Sequence, residues 1–261
     1  MEYLTPGISV TYTKGEWIQV QCSPKAKSRL AGLLYVICIA SGFCAEFFVR
    51  DRLVAYGDAA RTAANILASP SLYRWGFLAD LVSFTTGILI GIIFYDLLRV
   101  VSRPIARVAL AFAVVSNTVS LAASIFCYAP LHILNGAKYL QTFEPAQLQS
   151  LALLSIRLYQ FAFSLNLGLF SLDCVATGYL IYASNFLPRA LGVLLGIGGL
   201  CYLFNSVVYF TPPGTFPDLF PYSYLPSLVA EVSLALWLLI IGVDATKWRA
   251  EYTLSVARTA A

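Results

Sequence analysis

The chain has 261 residues, 59% of them hydrophobic and 11% charged, with a formal net charge of +4 and a mean hydropathy of +0.76. A soluble globular chain carries about a quarter charged residues, so the composition excludes that class. The small positive excess forms no basic cluster with interleaved aromatics, which excludes a nucleic-acid footprint.

Crossing a bilayer takes roughly 20 apolar residues at about 1.5 Å rise each. Six stretches qualify: Leu30 to Val49, Phe77 to Val100, Ile105 to Tyr128, Leu158 to Ala183, Ala190 to Phe210 and Ser227 to Val243. They read as helices, because hydrocarbon offers the backbone no other hydrogen-bond partner. None alternates as a barrel strand would. The expected fold is all-α, a polytopic transmembrane bundle of six spans. A tail at 1–28 precedes a membrane domain at 29–246, and a second tail occupies 247–261. The first tail holds no long apolar core and carries Glu2 and Glu16, so it does not read as a cleavable leader.

The connections carry their own signals. Asp58 opens a short alanine-rich helix that cannot span, expected at the membrane interface or folded over the bundle. Ser69-Pro70 offers a capping hydroxyl and a proline at the first helical position, and Glu144-Pro145 repeats the device. Asn185 to Pro188 separates spans four and five. Pro212 to Pro226 holds five prolines and is expected to be a non-helical loop.

Placing both termini in the cytoplasm puts Lys14, Lys25, Lys27, Arg29, Arg99, Arg103, Arg107, Arg189, Lys247, Arg249 and Arg258 inside. Those are eleven of the 17 basic residues, as the positive-inside bias requires. The expected location is the inner, cytoplasmic membrane, with lipid as the surrounding partner. Cys44 and Cys127, two of the six cysteines, both fall near outer helix ends, and their pairing is left open.

The segments Ser28-Arg-Leu-Ala-Gly-Leu-Leu-Tyr35, Ala45-Glu-Phe-Phe-Val-Arg50, Gly57-Asp-Ala-Ala60, Arg74-x-Gly76, Ala79-Asp-Leu81, and above all Gly178-Tyr-Leu-Ile-Tyr182 with Phe186-Leu-Pro-Arg-x-Leu-Gly-Val-Leu-Leu195 carry a resemblance. Over roughly residues 25–245 the chain resembles the bacterial membrane family called domain of unknown function 4386. The resemblance implies a compact multi-span bundle and no assigned activity. It also implies a histidine where this chain has Asp173, a departure from the pattern.

Ionisable groups inside a bilayer are costly and are therefore functional candidates. Glu46, Asp80 and Glu231 lie in the outer parts of spans one, two and six, with Arg50 and Arg157 nearby. Helical spacing lines up Asp80, Ser83, Gly87 and Gly91 on one face, and Asn117, Ser120, Ser124 and Tyr128 on a second. Arg157, Gln160, Ser164 and Ser171 form a third face, and Tyr35, Cys38, Gly42 and Glu46 a fourth. Candidate pocket residues are Glu46, Arg50, Asp80, Asn117, Arg157, Gln160, Asn205 and Glu231, with His132 and Asp173 as secondary candidates. Against this stands the plainer reading that polar stripes are interhelical glue and that Glu46 and Arg50 form an i,i+4 pair. A single histidine and no His/Cys cluster give no metal site. No phosphate loop or nucleophile elbow appears, and nothing calls for a cofactor. Three readings remain open. The first is an outward-facing intramembrane pocket that binds or acts on an amphiphilic or isoprenoid-like molecule. The second is a small proton-coupled transporter or exporter. The third is a structural or regulatory subunit. Whether the chain is an enzyme and how it oligomerises are left undecided.

Overall fold

The computed structural model describes residues 3–5, 8–11, 19–212, 215–216 and 222–260. Ahead of the bundle run three short antiparallel strands, β1 (Tyr3–Thr5), β2 (Ile8–Thr11) and β3 (Gln19–Cys22). The remaining elements are helices. The helix α1 (Pro24–Phe43) starts inside the expected tail, because Ser23 accepts the Ala26 N–H at 3.2 Å and Pro24 takes a first-turn position. It continues as a π-helical stretch, Cys44–Arg50, into α2 (Asp51–Leu53). Then come α3 (Ala59–Ala68), α4 (Pro70–Leu98), α5 (Arg103–Leu134) and α6 (Pro145–Ala183). The chain closes with α7 (Arg189–Phe210), α8 (Leu225–Ile240) and α9 (Ala245–Ala260).

Six of these segments are long and apolar enough to cross a membrane. Large apolar side chains face outward along them, Ile125 at 71% exposure among them, as hydrocarbon permits and water does not. The spanning helices form a closed ring in chain order: α1 packs on α4, α4 on α5, α5 on α6, α6 on α7, α7 on α8, and α8 back on α1. The start of the first span and the end of the sixth therefore lie at one end of the bundle, here the termini end. There the Ser28 hydroxyl accepts the Val243 N–H at 3.1 Å, and Lys27 and Arg99 both bridge Asp96.

Lipid supplies no solvent force between helices, so close approach must come from small residues. Nearly every seam has one. A Cβ on Gly32 would lie 2.4 Å from the Leu239 backbone, one on Gly91 2.8 Å from Ala113 Cβ, and one on Gly198 3.0 Å from Ser227 Cα. Hydroxyls lock the same seams. Ser83 donates to the Cys38 carbonyl at 3.0 Å, Ser206 to that of Ser164 at 2.8 Å, and Ser227 to that of Gly198 at 2.7 Å. The Phe186–Leu195 segment that carries the family resemblance joins α6 to α7 by a short turn. Pro188 precedes α7, and the backbones of Gly178 and Gly192 touch across the hairpin. Gly32 and Gly192 each stand three residues after a basic residue at a span's start, and both mark a backbone crossing.

Several connections differ from the sequence reading. The Ser69 hydroxyl makes no cap bond. Ser69 instead joins two helices through its backbone, its N–H closing α3 on Asn65 and Ile66 and its carbonyl opening α4 to Tyr73. Glu144 does form the full capping box, with Gln147. The proline-rich stretch lies partly outside the described residues. Its end is helical, since Pro226 fits the first turn of α8, where no N–H is needed. The short helix α3 folds over the end opposite the termini, hereafter the far end, burying Ile66 and Thr62 completely. The stretch 247–260 lies in the helix α9, which is tied down by Trp248 donating to the Leu97 carbonyl at 2.9 Å. Cys44 and Cys127 are free thiols, one exposed and one buried.

Gly192→Ala drives a Cβ against backbone atoms 2.5 Å away that cannot rotate aside. It should cost about 2 kcal/mol or more and lower the melting temperature in detergent. Gly196→Ala, whose Cβ meets nothing within 4 Å, should leave that temperature unchanged. Equal behaviour of the two would refute the close α6–α7 crossing.

Candidate functional site

One group of charges is buried near the far end of the bundle, where the first span closes at Leu53. The π-helical turn brings Glu46 and Arg50 to the α1–α4 seam, and α4 delivers Asp80 to the same place. Arg50 is 6% exposed and Asp80 2%. The Arg50 guanidinium is shared: Nε donates to Glu46 at 2.5 Å, Nη1 to Asp80 Oδ2, and Nη2 to Asp80 Oδ1 at 3.2 Å. From α6, the Tyr159 hydroxyl donates to Asp80 Oδ2 at 3.4 Å, and its ring lies under the guanidinium at 5.3 Å. Planar, always charged and able to fork between carboxylates, Arg suits this position where Lys would not.

The network holds one cation and two carboxylates, so one negative charge is in excess. Asp80 is sealed in, whereas the side chain of Glu46 is 45% exposed. Beside it Phe43 stacks on Phe47 and meets Phe48 edge-on, and all three face outward. The neighbouring loop contributes Tyr56. Burial first, then the Glu46 charge, pushes this phenol up to about 12, so it stays neutral and able to donate at physiological pH. Its hydroxyl is buried without a hydrogen-bond partner.

The other candidates lie elsewhere. Arg157 turns outward, donating to the Tyr56 carbonyl at 2.5 Å and covering the Tyr56 ring at 4.9 Å. Gln160 only accepts from Arg157, at 3.4 Å on the same helix. Asn117 is buried against Gly87 and donates to the Ala113 carbonyl at 2.8 Å. Asn205 clamps α7 to Ser223, accepting its hydroxyl at 2.6 Å. Glu231 occupies a second buried place, facing the hydroxyls of Tyr35 and Tyr202. His132 is exposed and lies edge-on to Tyr128. Asp173 accepts from Thr177 at 3.0 Å. Sequence reasoning missed Tyr159. It stands between Arg157 and Gln160, and the polar stripe drawn through those two turned attention to the wrong face of α6. Among the described residues no cluster of metal-ligating side chains occurs.

These features define a multi-pass helical membrane protein with a buried arginine–carboxylate network in one half of its bundle. Residues 30–242 match the family described as Domain of unknown function (DUF4386), and the chain belongs to it. Neither the curated proteins nor the solved structures give a match to this chain.

Removing one partner of a buried ion pair strands the other. Arg50→Met should therefore cost about 3–5 kcal/mol by leaving Asp80 uncompensated. The double variant Arg50→Met, Asp80→Asn should recover part of that loss, because no ion is left unpaired. Thermal unfolding in detergent measures both, and a strictly additive pair would show that the two residues are not coupled.

Proposed function

We propose that this protein resides in the cytoplasmic membrane with both termini in the cytoplasm. There it receives an amphiphilic or isoprenoid-like small molecule from the outer leaflet at the Glu46–Arg50–Asp80 network. The observation that carries this reading is the half-exposed Glu46, a carboxylate surplus to the charge of its arginine at the outer edge of the bundle. An uncompensated carboxylate in such a setting is costly, and a ligand whose headgroup offers a cation or hydroxyl relieves that cost. The outward aromatic trio of Phe43, Phe47 and Phe48 gives an apolar chain a surface to lie along. The widened π-turn also supports the reading, because such turns recur at functional sites. A polar mouth beside a lipid-facing aromatic surface is the arrangement by which an intramembrane site admits an amphiphile sideways.

The orientation rests on charge. Lys25, Lys27, Arg29, Arg99, Arg103, Arg107, Arg189, Lys247 and Arg249 gather at the termini end, which the positive-inside bias assigns to the cytoplasm. Ser71→Cys, at the far end, should react with an impermeant maleimide in intact cells. Reaction only after membrane disruption would reverse the orientation. Glu46→Gln should leave expression and melting temperature unchanged while stripping the protein of co-purifying amphiphile, as read by native mass spectrometry. Unchanged ligand retention in that variant would defeat the reading.

A further inference from the structure

The face of α6 that meets Asp80 continues along the helix. Tyr159, Asn166 and Asp173 stand seven residues apart, two turns each, so they share a stripe with steps of about 10 Å along the axis. Asn166 is 7% exposed and its Oδ1 has no hydrogen-bond partner. On α5, Ser120 is fully buried and its Oγ also lacks one. Buried polar atoms left this way are where internal water is found. Asp173 lies ten residues before the end of α6, about 15 Å into the bundle. Together with Gly91, Phe94, Tyr95, Ala109 and Thr177 it lines a cavity of about 10 Å³, room for roughly one water.

The surroundings of Asp173 contain acids and phenols but no neutralising cation. Tyr95 faces the cavity from α4, and α5 offers only Ala106, Ala109 and Leu110. Thr177 and Cys174 stand beside it on α6. From α8, Glu231 is within electrostatic reach, flanked by Tyr35 of α1 and Tyr202 of α7. An ionised carboxylate in such a place is strongly disfavoured, and a proton is the ligand that removes the cost. Access to bulk solvent is shortest at the termini end, where Tyr95 adjoins Asp96 and its partners Lys27 and Arg99.

We propose that Asp173 is a proton-binding site within the bundle, loaded through water held in the adjoining cavity. A proton from bulk passes to the cavity water, which gives one up to Oδ2 of Asp173 and is left neutral, while the Thr177 hydroxyl holds Oδ1. The site is separate from the Glu46 network and does not depend on that network's ligand.

Infrared difference spectroscopy of the purified protein in phosphatidylcholine liposomes, titrated with pH in H2O and D2O, tests this. The expected signal is a titrating protonated-carboxyl stretch that is lost in Asp173→Asn, kept in Asp173→Glu and untouched by Glu46→Gln. Persistence of the band in Asp173→Asn, or its loss only in Glu231→Gln, overturns the assignment. Should Asp173→Asn fail to fold, Ala109→Val crowds the cavity while keeping every titratable group. It should slow deuterium exchange of the acid severalfold, and unchanged exchange overturns the water-fed site.

Discussion

A bundle whose outer surface meets hydrocarbon gains nothing by hiding apolar side chains from its own solvent, so its helices are held by close packing and hydrogen bonds instead. The rest of this structure answers to that constraint. Gly32, Gly192 and Gly198 let backbones approach, Gly91 makes room for Ala113 Cβ, and Ser83, Ser206 and Ser227 donate across helix seams. The ring is closed in chain order, and nearly every seam has its own small residue or hydroxyl to draw neighbours together. The family's most specific segment, around Leu187-Pro188-Arg189, leads into one of the closest of these junctions, where Gly192 meets the Gly178 and Tyr182 backbone.

The same solvent dictates where charge can go. At the termini end Lys27 and Arg99 share Asp96 at the surface, where the bridge is cheap to make. Inside the far half one guanidinium is divided between two carboxylates, and it is steadied by the Tyr159 ring and hydroxyl. The two arrangements differ in consequence. The surface bridge balances its charges with cations to spare. The buried network leaves a carboxylate over, on the one member that reaches the bundle's edge. That imbalance, not the polarity of the helices in general, marks Glu46 out from the many serines and asparagines that only join helices.

What the sequence by itself determined is whatever hydrocarbon imposes residue by residue. Length and composition dictate six spans, because each must supply its own hydrogen bonds over the thickness of the bilayer. The Glu46–Arg50 pair was also legible, being a local i,i+4 contact on one helix. The tertiary structure alone decided which stripes meet. Ser83 looked like pocket lining and is glue to Cys38. Arg157 looked like a pocket cation near the outer carboxylates and turns instead to Tyr56. Tyr159, on the far side of the drawn stripe, completes the network. A helical stripe gives the face of a residue but not the neighbour that face is turned toward, and the rotation of each helix is set by glycine contacts with others far away in sequence. That is also why Asp80 could be read as a costly buried acid, while its Arg50 partner and their shared exclusion from lipid appeared only once α1, α4 and α6 were packed together.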